Sequence, residues 1–222
     1  MVLKKVRANW LRIAVHGGVL LSLAWLGVQL ATGAFVVDPI REMTTYTGKA
    51  ALVLLILSLA CTPLVTLTGW KRPSRVRRAL GLYAFLYAAV HLAIFVGLDY
   101  GFDLEMLVRG IEDQRYVLVG FAAGLGLLAL ALTSTRGWQR RLGRAWKRLH
   151  RLVYVSGILA VVHFLWLVKD PREPLRYAAL LALLLVLRIP AVRQATSRLR
   201  RRLAQSLRPR EKRQTDPMLV GQ

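Results

Sequence analysis

The sequence predicts an all-α integral membrane protein, built as a bundle of six transmembrane helices. Hydrophobic residues make up 55% of the 222 residues. Apolar runs without a charged residue recur along the chain, and a helix needs about 20 such residues to cross a bilayer. Lys and Arg also concentrate in every second connecting segment. Because the spans leave no room for a soluble catalytic domain, we predict one transmembrane domain over residues 1–195 and a basic tail over 196–222.

The six predicted spans account for most of the chain. Lys4, Lys5 and Arg7 precede the first span as they would precede a secretory signal peptide. Its apolar run exceeds the roughly 7–15 residues of such a peptide, so we expect it to be retained. The spans are predicted at about residues 11–36, 50–70, 79–98, 116–135, 150–168 and 175–192.

Three features inside the spans carry structural expectations. Pro63 is expected to kink the second span. Arg188 lies near the end of the sixth span and is expected to snorkel to the membrane interface. The stretch GFAAGLG (120–126) lacks the strand and turn of a dinucleotide-binding fold, and it indicates close helix packing instead.

The net charge of +22 would suggest a nucleic-acid partner for a soluble protein. With the N-terminus inside, however, 26 of the 33 Lys and Arg residues lie in inner segments, and 9 of the 11 acidic residues lie in outer loops. This asymmetry predicts a multi-pass membrane protein with both termini cytoplasmic, and membrane lipid rather than nucleic acid as a partner. The stretch after Pro190 is expected to form a helix on the anionic inner leaflet. The acidic outer loop Asp99–Arg115 is the expected docking face for an external partner.

All four histidines lie within or at the edge of predicted spans: His16, His91, His150 and His163. An ionisable side chain at that depth indicates a function, although a hydrogen bond between helices is the simple alternative. The third and fifth spans run in the same direction. His91 lies twelve residues beyond Ala79, and His163 lies eleven residues beyond Leu152, where the apolar run of the fifth span begins. Both are therefore expected at similar depth in the outer half. Because neutral imidazole is a good iron ligand, we predict that these two residues clamp one haem b.

His150 is predicted to lie nearer the inner surface. It precedes His163 by thirteen residues, which corresponds to about 20 Å along a helix and leaves room for a second haem. Thirteen residues also turn about 140° away from a whole number of turns. His150 and His163 are therefore not expected to share one face of a regular helix.

Four stretches of the sequence together carry a resemblance to known proteins. They are RRALGLYAFLYAAVHL (77–92), LTSTRGWQRRLGRAWKRLHRLVYVSGILAVVHFLW (132–166), HGGVLLSLAWL (16–26) and DPIREMTTYTGKAAL (38–52). With these stretches the sequence resembles the MsrQ (YedZ) family, the membrane subunit of the MsrPQ methionine sulfoxide reductase system within the ferric-reductase-like transmembrane superfamily. The resemblance covers nearly the whole chain up to about residue 195, and it implies a location in the bacterial inner membrane.

This resemblance implies a six-helix b-type cytochrome that takes electrons from quinol or from a cytosolic flavin reductase. The chain would pass them to a periplasmic molybdenum enzyme, MsrP, that reduces methionine sulfoxide in oxidised periplasmic proteins. It would be an electron-transfer subunit without catalysis of its own. The family has also been associated with FMN, and no residue pattern in this sequence gives FMN a site.

The resemblance also implies a set of ligands. Two-haem members of the superfamily carry paired histidines on the third and fifth helices. The fifth-helix pair matches His150 and His163, but on the third helix only His91 matches, and Arg77 stands where its partner is expected. One or two haems b are therefore implied. The second group at the inner haem is open between Arg77, as an unusual ligand or a partner of the propionates, and His16.

Two other functions are compatible with intramembrane histidines. A self-contained ferric or oxygen reductase module would need a separate protein for its flavin and nicotinamide domain. A transporter or assembly factor would use the histidines for metal or protons and would be colourless. Paired broken helices or an internal repeat would favour the transporter, and no repeat is recognised in the sequence.

Overall fold

The computed structural model describes residues 2–33 and 38–206, and these residues form ten α-helices without a strand. The all-α prediction is therefore confirmed for this part of the chain. The helices are α1 (Val2–Ala31), α2 (Pro39–Thr68), α3 (Arg77–Ile94), α4 (Leu104–Asp113), α5 (Arg115–Leu132), α6 (Arg136–Leu142), α7 (Arg144–Leu149), α8 (Leu152–Leu167), α9 (Arg172–Val186) and α10 (Pro190–Ser206).

Five helical segments in the described residues are long and apolar enough to cross a membrane. The pair α9 and α10 would add a sixth span if its two parts, bent by 76°, are taken together. The predicted sixth span at 175–192 is wrong in its second half, because α9 ends at Val186 and the chain turns before Pro190. Proline has no N–H and disfavours helical geometry in the residue before it, so it begins a new helix here. The five single spans are Asn9–Ala31, Pro39–Thr68, Arg77–Asp99, Arg115–Leu132 and Arg144–Leu167.

Helix α2 begins eleven residues before the predicted second span, at Pro39 rather than at residue 50. The segment 39–49, predicted as an outer loop, forms its first three turns. The Asp38 carboxylate accepts a hydrogen bond from the Arg41 N–H at 3.0 Å, and Pro39 occupies the first helical position. Both features favour a helix start. The extension places Thr44 and Gly48 on a helix.

Pro63 lies inside α2, and its missing N–H leaves the Leu59 carbonyl without its usual helical partner. Arg188, at the end of α9, supplies that partner: one of its terminal nitrogens donates to the Leu59 carbonyl at 2.5 Å. The other donates to the Tyr154 hydroxyl at 2.9 Å. Arg188 was predicted to snorkel outward and is instead directed between helices, because a carbonyl freed in the bundle is a strong acceptor.

Two antiparallel helix pairs, α2 with α3 and α5 with α8, form the centre of the bundle. Helix α9 packs on α2 and α8, whereas α1 lies at the edge with most of its side chains exposed. Small residues allow the two pairs to approach closely. The buried residues where the pairs meet are Leu55, Ala84, Leu127 and Leu130.

Candidate functional site

His91 on α3 and His163 on α8 come together between the two helix pairs. Their ring centroids are 6.2 Å apart, and the ring planes are nearly perpendicular, at 86°. Both side chains are partly buried. The similar depth predicted from the sequence is therefore accompanied by direct proximity of the two imidazoles.

Each of these imidazoles is held by a backbone carbonyl of the other helix in its own pair. His91 Nδ1 lies 2.8 Å from the Thr44 carbonyl on α2, and His163 Nδ1 lies 2.8 Å from the Tyr116 carbonyl on α5. A carbonyl can only accept, so Nδ1 carries the proton and donates. In a neutral ring this leaves the Nε2 lone pair for a metal, the arrangement found around most histidine ligands.

Glycine faces each of the two rings. A Cβ on Gly48 would lie 3.1 Å from His91 Nδ1, and a Cβ on Gly120 would lie 2.5 Å from His163 Nδ1. Ordinary contacts of this kind are 3.4–4 Å long. The imidazoles therefore reach the carbonyls one turn earlier only because these two positions have no side chain.

The carbonyl acceptor, the glycine and the histidine each occur twice, and the two copies of each are separated by the same number of residues. The equivalent positions, each 72 residues apart, are Thr44 and Tyr116, Gly48 and Gly120, and His91 and His163. Buried Ala51 and Leu55 of α2 likewise correspond to buried Ala123 and Leu127 of α5. No repeat is recognised from the sequence alone, and these equivalent positions indicate a sparse one. The matched positions face the neighbouring helix of each pair.

The repeat does not by itself indicate a transporter. Substrate sites in repeat-built transporters lie where helices are interrupted, whereas α2, α3, α5 and α8 are continuous at the histidines. Each copy contributes one imidazole to a single pair. The arrangement is that of a two-ligand clamp.

The separation of the two rings fits two imidazoles that would hold one haem iron between them. A bond from a metal to an imidazole nitrogen is about 2 Å, and the ring centre lies about 1 Å further, so two such imidazoles would have their centres about 6 Å apart. The observed 6.2 Å agrees with this distance. The described residues contain no group of three or more His, Cys, Asp or Glu side chains suited to an isolated metal ion. The donor set is thus two neutral imidazoles.

The structure places His150 in a separate group near the other end of the bundle. It lies in the turn between α7 and α8, so the helix is interrupted between His150 and His163. Its Nε2 is 3.2 Å from the Thr133 hydroxyl, and the Trp146 ring packs on it at 4.0 Å between centroids. The Trp146 N–H donates to the Thr133 carbonyl at 2.9 Å. The imidazole is thus anchored by Nε2 rather than by Nδ1.

Arg77 and His16 differ in their relation to this group. Arg77 begins α3 and donates to the Thr62 hydroxyl at 3.2 Å. His16 is an exposed residue of α1 whose Nδ1 is hydrogen-bonded to the Tyr83 hydroxyl at 2.5 Å. No contact between His16 and His150 occurs among the described residues.

The sequence of this chain was compared with protein families and with known proteins. A family model described as the ferric reductase like transmembrane component matches residues 47–161. A protein of Xanthomonas campestris pv. campestris is 47% identical over 196 residues, which are 85% of this chain and 90% of that relative. A protein of Rhodospirillum rubrum is 46% identical over 189 residues, which are 84% of this chain and 91% of that relative. Both carry the name protein-methionine-sulfoxide reductase heme-binding subunit MsrQ. The chain belongs to the MsrQ family.

Membership of the MsrQ family confirms the resemblance noted in the sequence. The segment matched by the ferric-reductase-like model includes Gly48, His91, Gly120 and His150, and it ends just before His163. The names of the relatives describe a haem-binding subunit. Such a subunit needs residues that hold haem, and the His91–His163 pair has the chemistry to do so.

Sequence reasoning missed the groups that orient the two histidines. The carbonyls of Thr44 and Tyr116 have no signature of their own, since any residue supplies one. The signal that was available is the identical spacing from Gly48 to His91 and from Gly120 to His163, which is 43 residues in both cases.

Proposed function

We propose that this chain is a membrane electron-transfer subunit that delivers electrons to a methionine sulfoxide reductase, and that His91 and His163 hold a haem b for this purpose. The observation that carries the proposal is the pair of imidazoles 6.2 Å apart, each with Nδ1 bonded to a carbonyl. Haem iron, when bound, supplies one-electron redox chemistry. The chain supplies orientation and a buried site.

The roles of the surrounding residues follow from their contacts. The Thr44 and Tyr116 carbonyls fix the tautomer and the direction of the two rings, and their hydrogen bonds raise the basicity of Nε2. Gly48 and Gly120 leave space for the rings. Buried apolar residues of α2, α3 and α5 pack together between the two helix pairs.

We propose that His150 is a ligand of a second haem near the basic end of the bundle. Arg77 is the better candidate for the second group there, because it stands at the start of α3 where the resemblance expects that group, whereas His16 is bonded to Tyr83. Arginine stays protonated in proteins. Its simplest role is therefore a charged hydrogen bond to a haem propionate.

The direction of transfer follows from the charge asymmetry. The basic end, with both termini, would face the cytoplasm and accept electrons from quinol or from a cytosolic flavin reductase. The acidic end would face the periplasm of a bacterial inner membrane and meet a molybdenum enzyme of the MsrP type. An associated FMN would belong to the donor side, and none of the described contacts identifies a residue for it.

The acidic loop Asp99–Arg115 supports a docking face beside the haem. Its centre is α4, an amphipathic helix that exposes Leu104 and Met106 together with charged side chains. The hydroxyl of Tyr116 donates to Gln114, the residue that joins α4 to α5. Since the Tyr116 carbonyl accepts a hydrogen bond from His163, Tyr116 links this surface directly to the histidine pair.

The proposal is tested by haem spectra of the purified full-length protein. Haem per chain and the reduced-minus-oxidised spectrum would be compared for the wild type, His91→Ala, His163→Ala and His16→Ala. The first two variants are expected to lose the same b-type component, and His16→Ala, the matched intramembrane control, is expected to keep it. A colourless wild-type protein after haem-replete expression, or an equal loss in His16→Ala, would contradict the proposal.

The docking face is tested by charge reversal. Glu112→Lys on α4 is expected to slow oxidation of the reduced haem by the partner reductase without changing the haem spectrum, because rim charges act mainly on the association rate. Glu42→Lys on the first turn of α2 is the control, since Glu42 is an exposed acid in another outer segment. Equal slowing in both variants would exclude α4 as the specific face.

A further inference from the structure

A pocket of about 320 Å³ lies at the bend between α9 and α10, far along the chain from the histidine pair. Its polar lining consists of basic, amide and hydroxyl side chains without a carboxylate. The lining residues are Arg188, Pro190, Arg193, Gln194 and Ser197. A volume of this order accommodates a small polar group or a lipid headgroup.

The positive charge at this pocket has no acidic counterpart nearby. The sequence contains no acidic residue between Glu173 and Glu211. The partners of Arg188 are a carbonyl and a hydroxyl, both neutral. The Arg193 backbone N–H donates to the Ile189 carbonyl at 2.9 Å, whereas its guanidinium makes no hydrogen bond or ion pair with the part of the chain that the structure describes. Two guanidinium groups thus line one pocket that has no acidic side chain to neutralise their charge, which favours binding of an anion.

Two arginines, one on each side of Arg193 in the sequence, attach this segment to α2. Arg188 donates to the Leu59 carbonyl, and Arg200 donates to the Val65 and Thr66 carbonyls at 3.2 and 2.9 Å. These last two carbonyls belong to the final turn of α2, and the Val65 carbonyl also accepts the cap hydrogen bond from the Gly69 N–H at 2.9 Å. Helix α10 is therefore fixed across the end of α2, and its donors need little reorganisation to bind a ligand.

The free donors match one chemical group. The Ser197 hydroxyl already donates to the Gln194 carbonyl at 2.9 Å, so the Arg193 guanidinium and the Gln194 amide are left. A guanidinium binds two oxygens of a phosphate at once. Basic pockets where membrane helices reach the interface bind anionic lipid headgroups in this way. Exposed Val186 and Ile189 flank the bend and would contact acyl chains.

We propose that the pocket at the α9–α10 bend is a phosphate-binding site, with Arg193 as its principal donor. The phosphate could come from the headgroup of an anionic phospholipid or from a soluble nucleotide, and the flanking apolar residues favour the lipid. The site is independent of the histidine pair, so its ligand is expected to bind whether or not haem is present.

The experiment measures binding to the purified full-length protein in detergent by native mass spectrometry and by titration. The probes are phosphatidylglycerol, zwitterionic phosphatidylcholine, FMN and riboflavin, the last being FMN without its phosphate. Arg193→Gln is compared with Arg198→Gln, an exposed arginine of the same helix that does not line the pocket. Because Arg193 is exposed, the substitution is expected to leave the fold and the haem spectrum unchanged.

Arg193→Gln is expected to weaken phosphatidylglycerol binding about tenfold, the loss typical of one charge-assisted hydrogen bond, whereas Arg198→Gln changes it little. Loss of FMN binding in Arg193→Gln, with riboflavin not bound by any variant, would support the same site with a soluble phosphate as its ligand. Equal weakening by both substitutions would show nonspecific attraction and overturn the proposal. Phosphatidylcholine also contains a phosphate, but its choline group cancels the charge, so it controls for binding that ignores charge. Phosphatidylglycerol bound no more tightly than phosphatidylcholine, together with FMN bound no more tightly than riboflavin, would also overturn the proposal.

Discussion

Gly120→Ala tests how closely the backbone controls the haem ligand. The new Cβ would lie 2.5 Å from His163 Nδ1, whereas an ordinary contact begins at 3.4 Å, so the ring must move by about 0.9 Å. Such a shift breaks the 2.8 Å hydrogen bond to Tyr116. It also exceeds the tolerance of about 0.2 Å for metal–ligand distances. Since loss of an orienting group typically costs 10–100-fold in metal affinity, we expect haem affinity to fall by about that factor.

The same helix provides a matched control for this substitution. A Cβ on Gly124 would meet nothing within 4 Å, and Gly48 is intermediate, with a contact at 3.1 Å. Each change adds about 1 kcal/mol of helix propensity, so none should weaken its helix as such. Haem titration of the three purified variants is expected to give the largest loss for Gly120→Ala, a smaller one for Gly48→Ala and none for Gly124→Ala. Wild-type affinity in Gly120→Ala, or an equal loss in Gly124→Ala, would refute the reasoning.

Further predictions concern the rest of the bundle. Arg188→Ala leaves the buried Leu59 carbonyl unpaired and is expected to lower the free energy of unfolding by about 1–3 kcal/mol. The loss should be smaller in a Pro63→Ala background, where the carbonyl regains a helical N–H. Thermal unfolding in detergent measures both losses, and equal losses in the two backgrounds would contradict this explanation. Trp146→Ala removes the ring packed on His150. In difference spectra, we expect a smaller signal only from the haem that depends on His150. A change in the component that depends on His91 would contradict separate sites.

The transmembrane spans were predictable because charge and apolarity are properties of local sequence. The depth match between His91 and His163 followed from span starts and helical rise alone. The early start of α2 was missed because Arg41, Glu42 and Lys49 interrupt the apolar pattern, whereas the helix already begins at Pro39. A helix can continue past the end of an apolar run, so composition does not fix its ends.

The remaining errors concern contacts between residues far apart in sequence. The partner of Arg188 is a carbonyl 129 residues earlier, freed by a proline on another helix. The residues around Arg188 in the sequence do not indicate where this carbonyl lies or that it lacks a helical partner. The repeat was missed for a related reason, since its equivalent positions become visible only when hydrogen bonds identify which residues face the histidines.

The central claim is that one iron is shared by His91 and His163. Haem per chain should be counted for His91→Ala, for His163→Ala and for the double variant, with His150 intact in all three. One shared haem predicts that each single variant loses the same haem and that the double variant loses no more than either. Additive losses, with the double variant lacking twice the haem of each single one, would show that the two histidines bind different irons and would contradict the account.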